Sequence, residues 1–170
     1  MTYATTTICA WDVCWLAQDW KEGEQALRDG DKLLEQQGEK AFRSTVDYYL
    51  AEALYQQGRL DEAEPYCELS KELGASDDAV TQAGWRAVRA KILAARGELE
   101  EAEAMVRQAV EIASETDQLD FRAQISLDLA TVMQAAGRAE EARRAAESAL
   151  DDFECKGNLV GAERAQRMLA

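Results

Sequence analysis

The chain is 170 residues long, carries a formal net charge of −14, and contains no His and a single Pro. So large an acid excess excludes phosphate-backbone binding and docking on anionic lipid, both of which need clustered Lys and Arg. The missing imidazole removes the commonest metal ligand and the commonest general base, and the Ala- and Leu-rich, β-branch-poor composition favours helices over strands.

Apolar periodicity predicts nine helices, at about 4–18, 22–37, 41–57, 61–74, 78–96, 99–115, 119–136, 139–154 and 158–169. The first of them, with the turn after it, runs through "TTTICAWDVCWLAQDW" (Thr5 to Trp20), which holds three of the four Trp and two of the four Cys. No apolar run approaches the roughly 20 residues of a membrane span, and no basic segment leads an apolar one at the start. Cys9, Cys14, Cys67 and Cys155 are scattered without a CxxC, which fits a reduced, cytoplasmic protein.

From the third helix onward the chain repeats. "LAEALYQQGRLDEAE", "RAKILAARGELEEAE" and "LATVMQAAGRAEEAR" align on Gly58, Gly97 and Gly137, which are 39 and then 40 residues apart. Seven residues before each glycine stand Ala51, Ala90 and Ala130; five after stand Ala63, Ala102 and Ala142; twelve after stand Ser70, Ala109 and Ala149. Small side chains at fixed places let two antiparallel helices approach closely, and a glycine ends the first helix in a left-handed turn. Acidic residues follow each glycine, at the positive end of the next helix.

The first pair has no glycine at the corresponding turn. Placing Lys21 there puts Ala26 and Leu33 at the small and apolar places of the second helix, whereas Asp19 would put Glu24 and Asp31 there. The Lys21 register is therefore preferred. It sends Cys9 and Cys14 to the packed side, with Cys67 at a packing place of its own helix, and assigns Trp20 to the turn. No metal site or cofactor is expected of these thiols, since two Cys five apart on a helix cannot share an ion.

The expected fold is all-α: a right-handed solenoid of antiparallel helix pairs, tetratricopeptide-like with repeats of about 40 residues. It forms a single domain over 1–170, with units at about 4–37, 41–74, 78–115 and 119–154 and a capping helix at 158–169. The strings "SDDAVTQAGWRAVRAKILAARG", "LDLATVMQAAGRAEEA" and "FECKGNLVGAERAQ" resemble the C-terminal repeat region of large bacterial signalling proteins. Those proteins carry adenylate/guanylate cyclase-like and NTPase domains ahead of the repeats. The resemblance implies a regulatory or protein-interaction segment. It carries over no catalysis, because there is no GxxxxGK[ST] loop here.

Within a solenoid of this kind, the first helix of each pair lines the concave groove at thirteen, ten, six and three residues before the turn. Counted from Lys21, Gly58 and Gly97, the candidate partner-binding residues are Trp11, Trp15, Tyr48, Glu52, Tyr55 and Lys91. The aromatic rings would supply buried area, and Glu52 and Lys91 would set orientation. The expected function is a non-catalytic scaffold that binds a peptide, a helix or a neighbouring domain, with a homodimer as one form of partnership. The alternative is a sensor holding a small-molecule effector in the same groove. Arg86, Arg89, Lys91 and Arg96 form a basic spot expected to pair with neighbouring acids, and Trp85 is expected in the core. The carboxylate pairs Asp61/Glu62, Glu100/Glu101, Glu140/Glu141 and Asp151/Asp152 are expected on solvated faces rather than as an acid–base couple.

Overall fold

The computed structural model describes residues 2–170, with side chains from Thr5 onward. Among the described residues there are nine helices and no strand: α1 (Thr2–Ala17), α2 (Trp20–Gln37), α3 (Ala41–Gln56), α4 (Leu60–Leu73), α5 (Ala79–Arg96), α6 (Leu99–Ser114), α7 (Leu119–Ala135), α8 (Ala139–Lys156) and α9 (Leu159–Leu169). No described helix is long and apolar enough to cross a membrane. The chain divides into two compact units, Met1–Val88 and Arg89–Ala170, with the boundary inside α5.

In the first unit, α2 packs on α1 and α3, and α4 on α3. Its core includes Trp11, Leu27, Leu34, Val46, Leu50, Leu54, Ala63 and Cys67, all buried. The turn between α1 and α2 corrects the Lys21 register. Gln18 has φ +56, the only positive φ among the described non-glycine residues, while Gly58 has φ +73. The backbone bonds match as well. Gln18 N–H donates to Trp15 C=O at 3.2 Å and Asp19 N–H to Cys14 C=O at 2.9 Å, as Gly58 donates to Tyr55 at 2.8 Å and Arg59 to Leu54 at 3.0 Å. Gln18 thus holds the glycine place, and Asp19 then caps α2 by accepting from Glu22 N–H at 3.2 Å. Trp20 is the first residue of α2 rather than a turn residue.

With Gln18 as origin, the small residues five and twelve later are Gly23 and Gly30, in line with Ala63 and Ser70 of the second pair. Leu27, nine later, takes the place of Cys67, and both are fully buried.

In the second unit, Ala90, Leu93 and Ala94 of α5 join Ala102 and Val106 of α6 and Val132 and Met133 of α7 in one cluster. A second cluster sets Met168 and Leu169 of α9 against Ala130, Ala145 and Ala146. α9 is capped by Asn158, which accepts from Gly161 N–H at 2.9 Å and donates to Asp120 at 2.9 Å.

Each unit also carries a charged clasp between consecutive second helices of pairs. In the first, Glu24 of α2 takes Arg28 at 2.8 Å and Arg59 at 2.6 Å, and Arg59 also holds Glu62 of α4 at 2.7 Å. In the second, Arg107 of α6 binds Glu103 at 3.0 Å and Glu141 of α8 at 2.7 Å, while Arg138 pairs with both Glu103 and Glu141. The places are identical: six and ten after the turn on one helix, one and four after the turn on the next. Burial alone would raise the Glu24 carboxyl, but hydrogen bonds from Gln57 and Arg28 bring it below the usual range. Hydrogen bonds from Arg138 and Arg107 lower Glu103 in the same way.

Candidate protein-binding face

The Gln18 register changes which α1 residues stand thirteen, ten, six and three before the turn. They are Thr5, Ile8, Asp12 and Trp15. Trp15 moves from the place six before the turn to the place three before it, and is half-buried. Trp11 leaves this face. It stands seven before the turn, where the other pairs have alanine, and is only 2 % exposed. Its indole packs where a Cβ on Gly23 would be, at 3.1 Å from Cε3 and Cζ3. On its other sides it meets the Trp20 and Tyr49 rings, at centroid distances of 6.2 and 5.5 Å. Trp11 is therefore a core ring, and the Lys21 register, three residues off, misplaces it on the groove. The same shift moves Cys9 out to an exposed position and leaves Cys14 half-buried beside Gly23.

Tyr48 and Glu52 stand at the expected places on α3, yet each is only 5 % exposed. Tyr48 is covered because α5 presents Gly84 to it: a Cβ there would lie 2.8 Å from the ring carbons. Its ring also meets Tyr49 at 4.1 Å, and burial raises its hydroxyl well above the ordinary value. Glu52 accepts from Gln56 Nε2 at 2.7 Å. Tyr55, one turn beyond Glu52, is half-buried. Lys91 lies in the second unit and is 2 % exposed, with Nζ 2.7 Å from Asp128 Oδ1 on α7. It is an internal ion pair, not a surface anchor; an acid on the neighbouring helix consumes its charge. Asp128 also accepts from Gln124 at 3.2 Å.

In the first unit, the surface left on this face is the exposed Asp12 with the half-buried Trp15 and Tyr55. Trp15 and Tyr55 hold the same place, three before the turn, on α1 and α3, which pack together. Asp12 is the residue that the Lys21 register misses. The signal that would find it is the pair Gly23 and Gly30, spaced by seven like Ala63 and Ser70.

Trp85 is buried as expected, and the Arg86 guanidinium stacks on its ring at 4.2 Å. The carboxylate pairs at the helix starts are largely exposed. One acid lies outside the expectations drawn from spacing. Asp47 of α3 has no exposed surface, and among the described residues neither carboxyl oxygen has a hydrogen-bond partner. Burial first, then the charge of Asp31, raises its carboxyl to about 8, against the pull of Arg43. Arg43 itself binds Asp31 at 2.6 Å and Glu35 at 2.9 Å. Asp47 is sealed in the core with no surface for a substrate to reach.

Family profiles described as Tetratricopeptide repeat match residues 45–65 and 81–154. The chain carries tetratricopeptide-like helical repeats. No curated protein matches it. Solved structures agree on the fold class of a tetratricopeptide-like solenoid. One structure of a putative kinesin light chain of Podosopora anserina, with nearly identical TPR-like repeats, superposes with a TM-score of 0.59 at 18 % identity. That match covers 99 % of this chain and 82 % of the other. A second structure under the same description gives 0.58 at 16 % identity, over 99 % and 92 %. BtubC (BKLC) from P. vanneervenii gives 0.58 at 18 % identity, over 93 % and 76 %. At such identities the likeness concerns the fold. Tetratricopeptide repeats in general mediate protein–protein interaction and typically serve as non-catalytic scaffolds, so protein partners are indicated here.

Proposed function

We propose that the protein is a non-catalytic interaction scaffold that takes a peptide or helix on the helix face carrying Asp12, Trp15 and Tyr55. The observation behind this reading is the pair of half-buried aromatic rings at one repeat place on neighbouring helices, with an exposed acid one turn away. Rings of this kind supply buried area at low entropic cost, and the acid selects a basic residue on the ligand. Trp11, Tyr48 and Glu52 support the face from beneath. Lys91 fixes α5 to α7 within the second unit. The resemblance of the longer strings to repeat regions of bacterial signalling proteins favours a cytoplasmic regulatory segment as the setting.

The test is co-purification with Trp15→Ala and Tyr55→Ala beside the native chain. Loss of the same partner from both variants, with unchanged helical circular dichroism, is the expected result. A partner retained at native level by both folded variants would sink the reading.

A further inference from the structure

The places twelve, nine and five before the turn, on the outer side of each first helix, carry the contact between consecutive pairs. On α3 they are Val46, Tyr49 and Ala53. Val46 and Ala53 are fully buried, and Tyr49 meets Trp11 of α1 at 5.5 Å. On α7 the equivalent of Ala53 is Val132, fully buried in the cluster that α5 and α6 form. On α1 the corresponding residues are Thr6, Cys9 and Val13, followed by Leu16. All four are exposed, Val13 at 65 % and Leu16 at 44 %. The side that seats one pair on another in the rest of each unit thus continues on α1 as an open apolar stripe.

The clasp says what charge belongs there. At one and four residues after the turn, α4 and α8 offer Arg59 with Glu62 and Arg138 with Glu141, and meet a Glu and an Arg four apart. At those two places α2 offers Asp19 and Glu22, two acids. A complementary helix therefore carries two basic residues four apart.

We propose that α1 is a docking surface for an antiparallel helical hairpin of a partner protein. The hairpin lays an apolar stripe on Cys9, Val13 and Leu16 and sets an i, i+4 basic pair against Asp19 and Glu22. Two observations weigh against a second copy of this chain as occupant. Two α1 faces brought together would face acid to acid. The equivalent seat on α7 and α8 is already taken by α9 of the same chain, through Met168 and Leu169. This surface is separate from the Trp15 and Tyr55 face, so either can fail without the other.

The probe is the segment Leu119–Asn158 carrying Glu147→Arg, which completes a basic pair with Arg143 at the required spacing, and Cys155→Ser, which leaves the full chain with the one reference thiol. It is fused ahead of Thr2 of the full chain. The readout is alkylation of Cys9, resolved by mass spectrometry, with the exposed Cys155 as internal reference. The expected result is alkylation of Cys9 about tenfold slower than in the native chain, as for a thiol covered nine-tenths of the time. Val13→Glu restores the rate, and the fusion without Glu147→Arg protects less. Cys9 reacting at its native rate in the fusion overturns the proposal, as does failure of the fused hairpin to add helix. If light scattering shows the native chain to be a dimer that Val13→Glu disperses, the occupant is a second copy and the proposal is likewise overturned.

Discussion

Gly23 of α2 stands directly against the indole of Trp11, so closely that a Cβ on the glycine would lie 3.1 Å from two ring carbons. This contact fixes the register of the first pair. Where the other pairs set two alanines against each other, this pair admits one large ring, and the facing helix gives up its side chain to make room for it.

The neighbouring glycine makes the register testable. A Cβ on Gly30 would lie 2.5 Å from Thr7 Oγ1, with Thr7 Cγ2 crowding it as well. Gly30→Ala is therefore expected to destabilise the protein by about 1–3 kcal/mol through overpacking. On helix propensity alone the change would stabilise by about 0.5–1 kcal/mol. Adding Thr7→Ala should recover most of the loss. Urea denaturation gives the sign, and a more stable single variant would refute the close contact.

Lys91 and Asp128 form a pair in which both side chains are almost wholly withdrawn from water, at 2 % and 7 % exposure. Removing one partner takes the 2.7 Å counter-ion from a charge withdrawn from water. Lys91→Met is expected to cost about 3–5 kcal/mol, while Lys91→Met with Asp128→Leu should be far closer to the native stability. A double-mutant cycle by chemical denaturation measures both. Additive losses would show that the two groups do not compensate each other.

The raised carboxyl of Asp47 sets the sign of its own contribution to stability against pH. Its folded carboxyl, raised to about 8, lies above the ordinary 3.8. The folded state therefore holds the proton more tightly than the unfolded state. The associated stability is complete below the ordinary carboxylate range, declines as pH rises toward about 8, and is gone above it. Asp47→Asn removes the titration. Its melting temperature should match the native chain near the low end of this window and exceed it by several degrees at the high end. Thermal circular dichroism across the range reads this directly, and parallel pH profiles for the two proteins would contradict it.

The clasps act in the opposite sense. Glu24 and Glu103 are held below their ordinary values, so their contribution is present above the ordinary carboxylate range and fades as pH falls through the lowered one. Being close to solvent, the pairs also weaken with salt. Arg138→Glu is expected to lower the melting temperature, and adding Glu103→Arg to restore part of it, with the difference shrinking in high salt. A loss that is indifferent to salt would mean that the arginine acts by packing.

The repeat, the helix boundaries and the packed places of the later pairs can all be read from three glycines and the alanines around them, because those residues answer to local needs of turn and approach. The first pair resists the same reading. Its turn residue is Gln18, which accepts a left-handed backbone without being glycine, and its close-approach residues are Gly23 and Gly30 where alanine or serine is the guide. The candidate face is half visible. Tyr55 stands three before its turn as counted, whereas Trp15, counted at six before the turn, stands at three. Tyr48 and Lys91 are buried for reasons beyond their own helix: a glycine on α5 admits one ring, and an aspartate on α7 neutralises one ammonium. Neither partner stands at a sequence distance that a single-helix count inspects.

The exchange between Trp11 and Gly23 also says what a repeat preserves. Ala90 faces the second helix from seven before its turn, and Ala102 answers from five after. In the first pair the same two places hold the largest and the smallest side chains available. Trp and Gly together carry more bulk than two alanines, so what the seam keeps is the fit of two opposed places, not their volume or the residue at either. Drift in such an array is free to pass bulk from one helix to the other, provided both ends of the exchange change together.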